Sequence, residues 1–422
     1  MKKYFVYILT AFLFFTGSLF AQIKSAKTES DSVKIKMLEK RLKAIENKLE
    51  ENELEKLLQE ANSVSNKREE NKKSKVFKSG QRALQAINPE ISVTGDAYTQ
   101  AILDKDGFRE EARTGAYFRT LGLHIQGNLD PFSLTKVAVE LHPDGIELGE
   151  AYVTWSSFLP KVSLTAGKFR QQFGVLNRWH VHSLDQFDFP LALTTIMGED
   201  GLNQMGFSFN WLMPSIFADA NNLIVEITNG RNDQLFGGEM FSFPSLLMHL
   251  KNYYDLSRDT YLEFGLTGMY GQNNFKGYKN ETKIIEDTRN TYLGGADLTI
   301  FWEPLNQALY RSFLWRSELY YANKEIMPDK NIKVLGGYSY VEYKFAEQWQ
   351  TGLRFDYTQP FEFDNSEKYT YQIVPYITWW QSHWVKMRLQ YNYMNGNVQP
   401  ESSNTLRLQI VWAVGPHKHD RY

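Results

Sequence analysis

The sequence predicts an all-β transmembrane barrel of about 16 antiparallel strands, preceded by an α-helical coiled-coil segment. Three observations lead to this fold class. The chain starts with an export signal, residues from 91 onward alternate apolar and polar side chains, and aromatic residues make up 15% of the chain. No segment after the signal offers roughly 18 consecutive apolar residues, which excludes a helical membrane protein.

Residues 1–21 have the features of a secretory signal peptide. Lys2 and Lys3 precede an apolar run at 4–15, and cleavage is expected after Ala21. The chain contains no cysteine, so the exported fold does not rely on disulfides.

The next segment, residues 22–61, predicts a coiled-coil helix, followed by a linker rich in Lys, Asn and Ser at 62–88. The helix carries apolar residues at heptad spacing: Ile35, Leu38, Leu42, Ile45 and Leu49. Asn52 ends this short seam, so a single solvated helix is the alternative. Residues 22–88 hold 16 Lys and Arg against 11 Asp and Glu. This basic balance is compatible with contact to an anionic polymer such as the cell wall, and with a structural tether.

Residues 89–422 predict the barrel itself. Strand 384–393 shows the pattern: Val385, Met387 and Leu389 alternate with Lys386 and Arg388. An apolar outer face and a charged inner face are typical of a barrel in lipid. A secreted β-sandwich would bury the apolar face equally well, so the connections decide between the two folds.

We place sixteen strands near 91–103, 115–129, 133–141, 147–156, 162–170, 204–213, 222–229, 245–255, 260–271, 291–302, 311–323, 335–345, 349–359, 369–380, 384–395 and 404–414. Short connections follow even strands, at 130–132, 346–348 and 381–383, while longer ones mostly follow odd strands, at 104–114, 171–203, 230–244, 272–290 and 324–334. The short link at 142–146 breaks this alternation. Short periplasmic turns opposite long external loops are typical of outer-membrane barrels, and 16 strands leave room for water.

The longest connection, 171–203, continues the stretch "GKFRQQFGVLNRWHVHSL", which starts at Gly167. Its apolar side chains, including Phe173, Leu176 and Trp179, need a surface to pack on. We therefore expect this loop to fold inward and narrow the lumen. Five side chains are the candidates for the narrowest part: Arg178, His180, His182, Asp185 and Asp188.

The segment "AGKFRQQFGVLNRWHVHSL", with "ELGEAYVTW" before it and "MGEDGLNQMGFSFNWL" after it, resembles porins of the phosphate-selective porin O/P type, a Gram-negative outer-membrane family. The opening "INPEISVTGDAYTQ" resembles the first strand of the same group. The resemblance implies a trimeric barrel whose third external loop folds inward as a constriction. It also implies passive diffusion of small solutes across the outer membrane, with the N-terminal helix in the periplasm.

Side chains alternate between the two faces of a strand, and this alternation directs eight charged side chains toward the barrel interior: Lys136, Glu140, Glu150, Arg354, Asp356, Lys386, Arg388 and Arg407. The barrel region holds 29 Lys and Arg against 38 Asp and Glu, a net charge of −9. A mixed wall predicts a general pore for small polar or ionic solutes, with phosphate as an alternative solute. The expected partners are outer-membrane lipid, small solutes and two further copies of the chain. No cofactor and no nucleic acid is expected.

The remaining polar residues allow two alternative roles. The pair His180 and His182 offers only two metal ligands, as does the pair at 417 and 419, so a structural or pore-lining role is preferred over a metal site. A lipid-hydrolase barrel would need a Ser–His pair, for which Ser208, Ser245 and His249 are the candidates. Because a Gly-x-Ser-x-Gly motif is missing, we expect no enzymatic activity and no catalytic residue.

Overall fold

The structure is a computed structural model that describes residues 89–415 except 105–107, 110–111, 237–243, 280–281, 328–329 and 399–402. The predicted signal peptide, coiled-coil helix and linker lie outside the described residues, as do the histidines at 417 and 419. In the described part of the chain, no helix is long and apolar enough to cross a membrane.

Sixteen antiparallel strands form one closed barrel, which confirms the predicted fold class for the described region. The barrel strands are β1 (Glu90–Ile102), β4 (Gly115–Asp130), β5 (Ser133–His142), β6 (Gly145–Leu159), β7 (Val162–Arg170), β8 (Asn203–Met213), β9 (Ala220–Thr228), β10 (Ser245–Ser257), β11 (Thr260–Lys279), β12 (Thr282–Trp302), β13 (Ser312–Met327), β14 (Lys330–Ala346), β15 (Trp349–Thr358), β16 (Thr370–Ser382), β17 (Val385–Gly396) and β18 (Ser403–Val414). The short strands β2 (Phe108–Arg109) and β3 (Ala112–Arg113) form a separate hairpin. Each barrel strand pairs with its neighbour along the chain, and β1 pairs with β18 to close the ring.

The strands owe their two faces to the period of two residues in a β-strand. In β15, Leu353 is 48% exposed on the outside, whereas Arg354 is completely buried on the inside. Phe355 and Asp356 repeat the same pattern one step along. An apolar, aromatic outer surface around a polar interior is the arrangement that a lipid bilayer requires of a barrel.

One end of the barrel carries mostly two-residue turns, at 131–132, 160–161, 258–259, 347–348 and 383–384, with longer links at 214–219 and 303–311. The other end carries the longer connections, including 171–202, 229–244 and 359–369. The prediction of loops at 272–290 and 324–334 is wrong, because β11 to β14 continue through these ranges as paired strands. Polar residues form strands there because backbone groups pair across each hairpin, with register shifts between Asn273 and Gly277 and between Glu325 and Met327.

Residues 171–202, called the inner segment below, fold into the barrel lumen. The segment contains two 3₁₀ turns, Leu176–Arg178 and Val181–Ser183, and the helix α1 (Leu191–Met197), which ends at Gly198 with φ of 83°. Its apolar side chains and those of the short helix α2 (Asp233–Phe236) form one buried cluster with inward side chains of β10 to β14. The cluster includes Phe173, Leu176, Leu193, Ile196, Leu235, Leu247, Met269, Leu293, Tyr320 and Val334. The prediction that this connection folds inward is therefore confirmed.

We expect Gly167→Ala to lower the free energy of unfolding by about 1–3 kcal/mol. The backbone at Gly167 has φ of 139°, and an added Cβ would lie 2.2 Å from the carbonyl oxygen of Ala151. Gly294→Ala is the matched control, because a Cβ at Gly294 meets nothing within 4 Å. Urea titration in detergent micelles, followed by tryptophan fluorescence, measures both variants. Equal stability of the two would contradict this assignment of strain.

Candidate functional site

The inner segment enters the lumen against Glu318 of β13. The Glu318 carboxylate accepts hydrogen bonds from the backbone N–H groups of Val175 and Leu176, both at 3.1 Å, and from the hydroxyls of Tyr320 and Tyr338. Gly174 passes so close that a Cβ there would lie 1.8 Å from Glu318 Oε2, and its φ of 59° also favours glycine. Glu318 therefore fixes the first turn of the inner segment.

His180 forms the second anchor. Its Nδ1 lies 2.8 Å from Glu140 Oε1 and its Nε2 lies 3.0 Å from Glu150 Oε2, while Lys136 Nζ lies 3.2 Å from the same Glu150 oxygen. Burial alone lowers the pKa of His180, but the hydrogen bonds to Glu140 and Glu150 outweigh it and raise this pKa above the usual value. A ring that faces a carboxylate at each nitrogen is best satisfied as the imidazolium, which donates both bonds.

Two further histidines surround His180. The ring centroids of His124 and His182 lie 5.1 Å and 5.6 Å from that of His180, and 5.2 Å from each other. Within the described ranges, no group of three or more His, Cys, Asp or Glu side chains is arranged to hold a metal ion. Both nitrogens of His180 are already engaged by carboxylates, which favours the structural role over the metal role.

Asp188 is the third anchor. Its carboxylate accepts hydrogen bonds from Arg354 at 2.9 Å, Gln390 at 3.3 Å, Asn392 at 3.2 Å and Arg407 at 3.4 Å. Burial alone raises the pKa of Asp188, but the two arginines outweigh it and lower this pKa below the usual range. The Asp188 side chain is 30% exposed, so this charge also faces solvent.

The structure places the five predicted constriction residues in two different settings. His180, His182 and Asp185 are buried. Asp185 accepts a hydrogen bond from the Tyr340 hydroxyl at 2.8 Å. Arg178 lines a cavity inside the barrel and, with Asp188, keeps part of its side chain in solvent.

All eight predicted wall charges point into the barrel, but most of them do not line a water path. Seven are buried: Lys136, Glu140, Glu150, Arg354, Asp356, Lys386 and Arg388. Arg388 and Lys386 both donate to the Leu184 carbonyl, at 2.9 Å and 3.3 Å, and Arg354 is bonded to Asp356 at 3.0 Å. Only Arg407 of the eight keeps substantial exposure, at 20%. Most of these wall charges bond the inner segment or one another.

Several site residues were missed by the sequence analysis. Arg119 donates to the Phe187 carbonyl at 2.6 Å, and the guanidinium groups of Arg119 and Arg407 lie 4.2 Å and 4.8 Å from the Phe187 ring centroid. Glu318 and Glu226 accept backbone hydrogen bonds from the inner segment. The alternation of side chains along β4, β9 and β13 directs Arg119, Glu226 and Glu318 inward. This alternation is the sequence signal that could have identified them.

The serines and histidine weighed for an enzyme lie inside the barrel and have separate partners. Ser208 donates to Glu226 at 3.0 Å, Ser245 is bonded to Thr228 at 2.7 Å, and His249 Nδ1 is bonded to Thr267 at 2.7 Å. A hydrolase of membrane lipid needs its nucleophile and base paired where lipid can reach them. These interior contacts do not form such a pair.

Comparison with known proteins supports the fold. No protein-family model matches the chain. A curated protein of Aquifex aeolicus, called "Uncharacterized protein", is 28% identical over 253 residues, which cover 56% of this chain and 52% of the relative. The chain thus matches about half the length of that relative.

Solved outer-membrane proteins share the barrel. OprB of Pseudomonas putida aligns with a TM-score of 0.54 at 10% identity, over 80% of this chain and 96% of OprB. An anion-selective porin of Comamonas acidovorans aligns with a TM-score of 0.52 at 10% identity, over 77% and 99%. The trimer form of OmpT from Vibrio cholerae gives the same values. At such low identity these likenesses establish the fold alone.

The raised pKa of His180 makes its anchor pH-dependent. Its contribution to stability is complete below about pH 6.5, the unfolded value, and is lost as the pH rises through the higher pKa of the folded protein. We expect wild type to exceed His180→Gln by about 1–3 kcal/mol in free energy of unfolding below that pH, and the difference to shrink toward alkaline pH. Urea titrations of both proteins between about pH 5.5 and 9 measure it. A difference that stays constant or grows with pH would overturn the imidazolium assignment.

Proposed function

We propose that the protein is an outer-membrane porin that lets small polar or ionic solutes diffuse passively past the inner segment. The observation that carries this proposal is a closed barrel, apolar outside and polar inside, with one long connection bonded across its lumen. A bilayer solvates the outer face, while the interior offers hydrogen bonds to water and solutes.

The inner segment defines the selective region. Arg178 and Asp188 are the members of the predicted constriction that reach solvent, so we assign them the contact with passing solutes. His180, His182 and Asp185 are assigned a positioning role, because they lie buried between the segment and the wall. This division follows from burial: a charge that is fully paired inside the protein acts little on a solute in the pore.

A mixed charge balance favours weak ionic selectivity. The partly exposed charges near Phe187 are Arg119, Asp188 and Arg407, and Asp188 contacts Arg407 directly. Strong anion selectivity requires an excess of unpaired positive charge along the path. We therefore propose a general pore. Selectivity for phosphate, as in porins of the O/P type, is the alternative.

The assembly and location belong to the same proposal. We place the barrel in the outer membrane of a Gram-negative cell as a homotrimer, with residues 22–61 in the periplasm and in reach of the cell wall. The porin-type fold and the trimer form of OmpT support this assembly. A short coiled-coil seam gains stability when its partners are already held together by a larger assembly.

Purified protein in a planar bilayer should give discrete ion-conducting steps, with only weak preference for either ion in a salt gradient. Asp188→Ala removes the acceptor that Arg354, Gln390 and Asn392 share. We expect larger and noisier steps from this variant because the inner segment loosens. Glu347→Ala, an exposed acid in a short turn, should conduct like wild type. Absence of conducting steps would refute the porin, and strong anion preference would favour the phosphate alternative.

Deleting residues 23–85 should shift the protein from trimer to monomer on native gels if the helix drives assembly. The matched control deletes only the linker at 62–85, which leaves the predicted seam in place and should preserve the trimer. A trimer that survives the longer deletion would remove the trimerising role from the helix.

A further inference from the structure

A cavity of about 260 Å³ lies inside the barrel on the side of the short turns. Residues from the short-turn ends of β5 to β11, such as Ser163, Asn210 and Glu263, line this cavity. Val175, Arg178 and Trp179 of the inner segment also line it. A solute that crosses the pore therefore meets this space next to the segment that narrows the lumen.

Two polar atoms of the lining have no partner among the described residues. They are Nε2 of His249, whose side chain is completely buried, and Oδ1 of Asn222. His249 Nδ1 is held by Thr267, so its ring orientation is fixed. A buried polar atom without a partner costs free energy, which a hydroxyl group in the cavity would offset.

The remaining polar lining consists mainly of hydroxyls, amides and charges that are already paired. Lys251 lies 3.0 Å from Glu263 and 2.7 Å from Asp297. Arg178 lies within electrostatic reach of Glu150 and Glu226. Arg178 and Lys251 thus each have two carboxylates nearby, and neither is an unpaired positive charge that would select an anion.

Aromatic rings complete the lining. Tyr152, Phe169, Trp179 and Tyr253 contribute to the same cavity. Phe169 and Trp179 are buried, whereas Tyr152 and Tyr253 are partly exposed. The faces of these two tyrosines pack well against aliphatic C–H groups, while the hydroxyls and amides around them both donate and accept hydrogen bonds. A ring with C–H groups on its faces and hydroxyls on its edge satisfies both kinds of lining at once.

We infer that this cavity binds a neutral, polyhydroxylated solute of monosaccharide size, as a transient stop on the diffusion path. The volume is just below the roughly 300–1,000 Å³ of pockets for drug-sized ligands, so a single sugar ring fits better than a longer saccharide. This inference rests on the proposed porin function for its place in transport. The binding itself can be measured without conduction.

The test uses the full-length protein in detergent and isothermal titration with glucose as the probe. We expect saturable binding with a dissociation constant on the order of 1 mM, as a small ligand in a largely preformed site gives. Tyr253→Ala and Asn222→Ala, each shown to retain the barrel by its gel mobility before and after heating, should weaken binding roughly threefold to tenfold. Tyr117→Ala is the matched control, because this tyrosine stacks on Tyr98 and is not part of the cavity lining.

Several outcomes would overturn the inference. These are no saturable glucose binding by wild type, tighter binding of inorganic phosphate than of glucose, or equal weakening by Tyr117→Ala. Conduction in a bilayer without glucose binding refutes the sugar site and leaves the porin standing. Glucose binding by a protein that does not conduct refutes the porin and leaves the site standing.

Discussion

The path of the inner segment depends on wall side chains that satisfy hydrogen bonds its backbone cannot make to itself. A chain buried without regular secondary structure leaves peptide groups unpaired, and each one costs free energy. Glu318 accepts two such N–H groups, Glu226 accepts that of Gln172, and Gln390 accepts that of Phe187. Arginines of the wall donate in the same way to carbonyl oxygens of the segment. These polar contacts determine where the segment lies.

The inner segment makes both apolar and polar contacts with the barrel wall. The segment packs its large side chains against β10 to β14. It also makes hydrogen bonds and ion pairs to β4 to β6 and β15 to β18, and to Glu226 of β9, Glu318 of β13 and Tyr340 of β14. The apolar burial supplies attraction without direction, whereas the charged groups give one defined geometry. Most charges inside this barrel therefore hold the structure, and they cannot be counted as charges that a solute meets.

Much of the fold could be predicted because alternation along each strand is a local property. The parity of Arg354, Asp356 and Arg388 correctly placed these side chains inside, and the apolar content of 171–203 correctly predicted an inward fold. The burial of those same charges could not be predicted, since it depends on which part of the segment crosses above each strand. Pairs such as His180 with Glu140 join residues 40 apart through two loops, and no spacing rule relates them. The predicted strands β11 to β14 are shorter than the observed ones, because the polar hairpin tips resemble loops in sequence. Backbone pairing extends the strands through these tips.

The anchors also fix the side chains that a solute would meet. Arg178 and Trp179 lie between the turn bonded to Glu318 and the ring bonded to Glu140 and Glu150. A stretch this short between two fixed points has little conformational freedom, and the Arg316 guanidinium, 4.8 Å from the Trp179 ring centroid, restricts it further. The position of these two lining residues is thus set by residues that are not part of the lining. We therefore expect a change in an anchor to shift Arg178 and Trp179, even where both residues are kept.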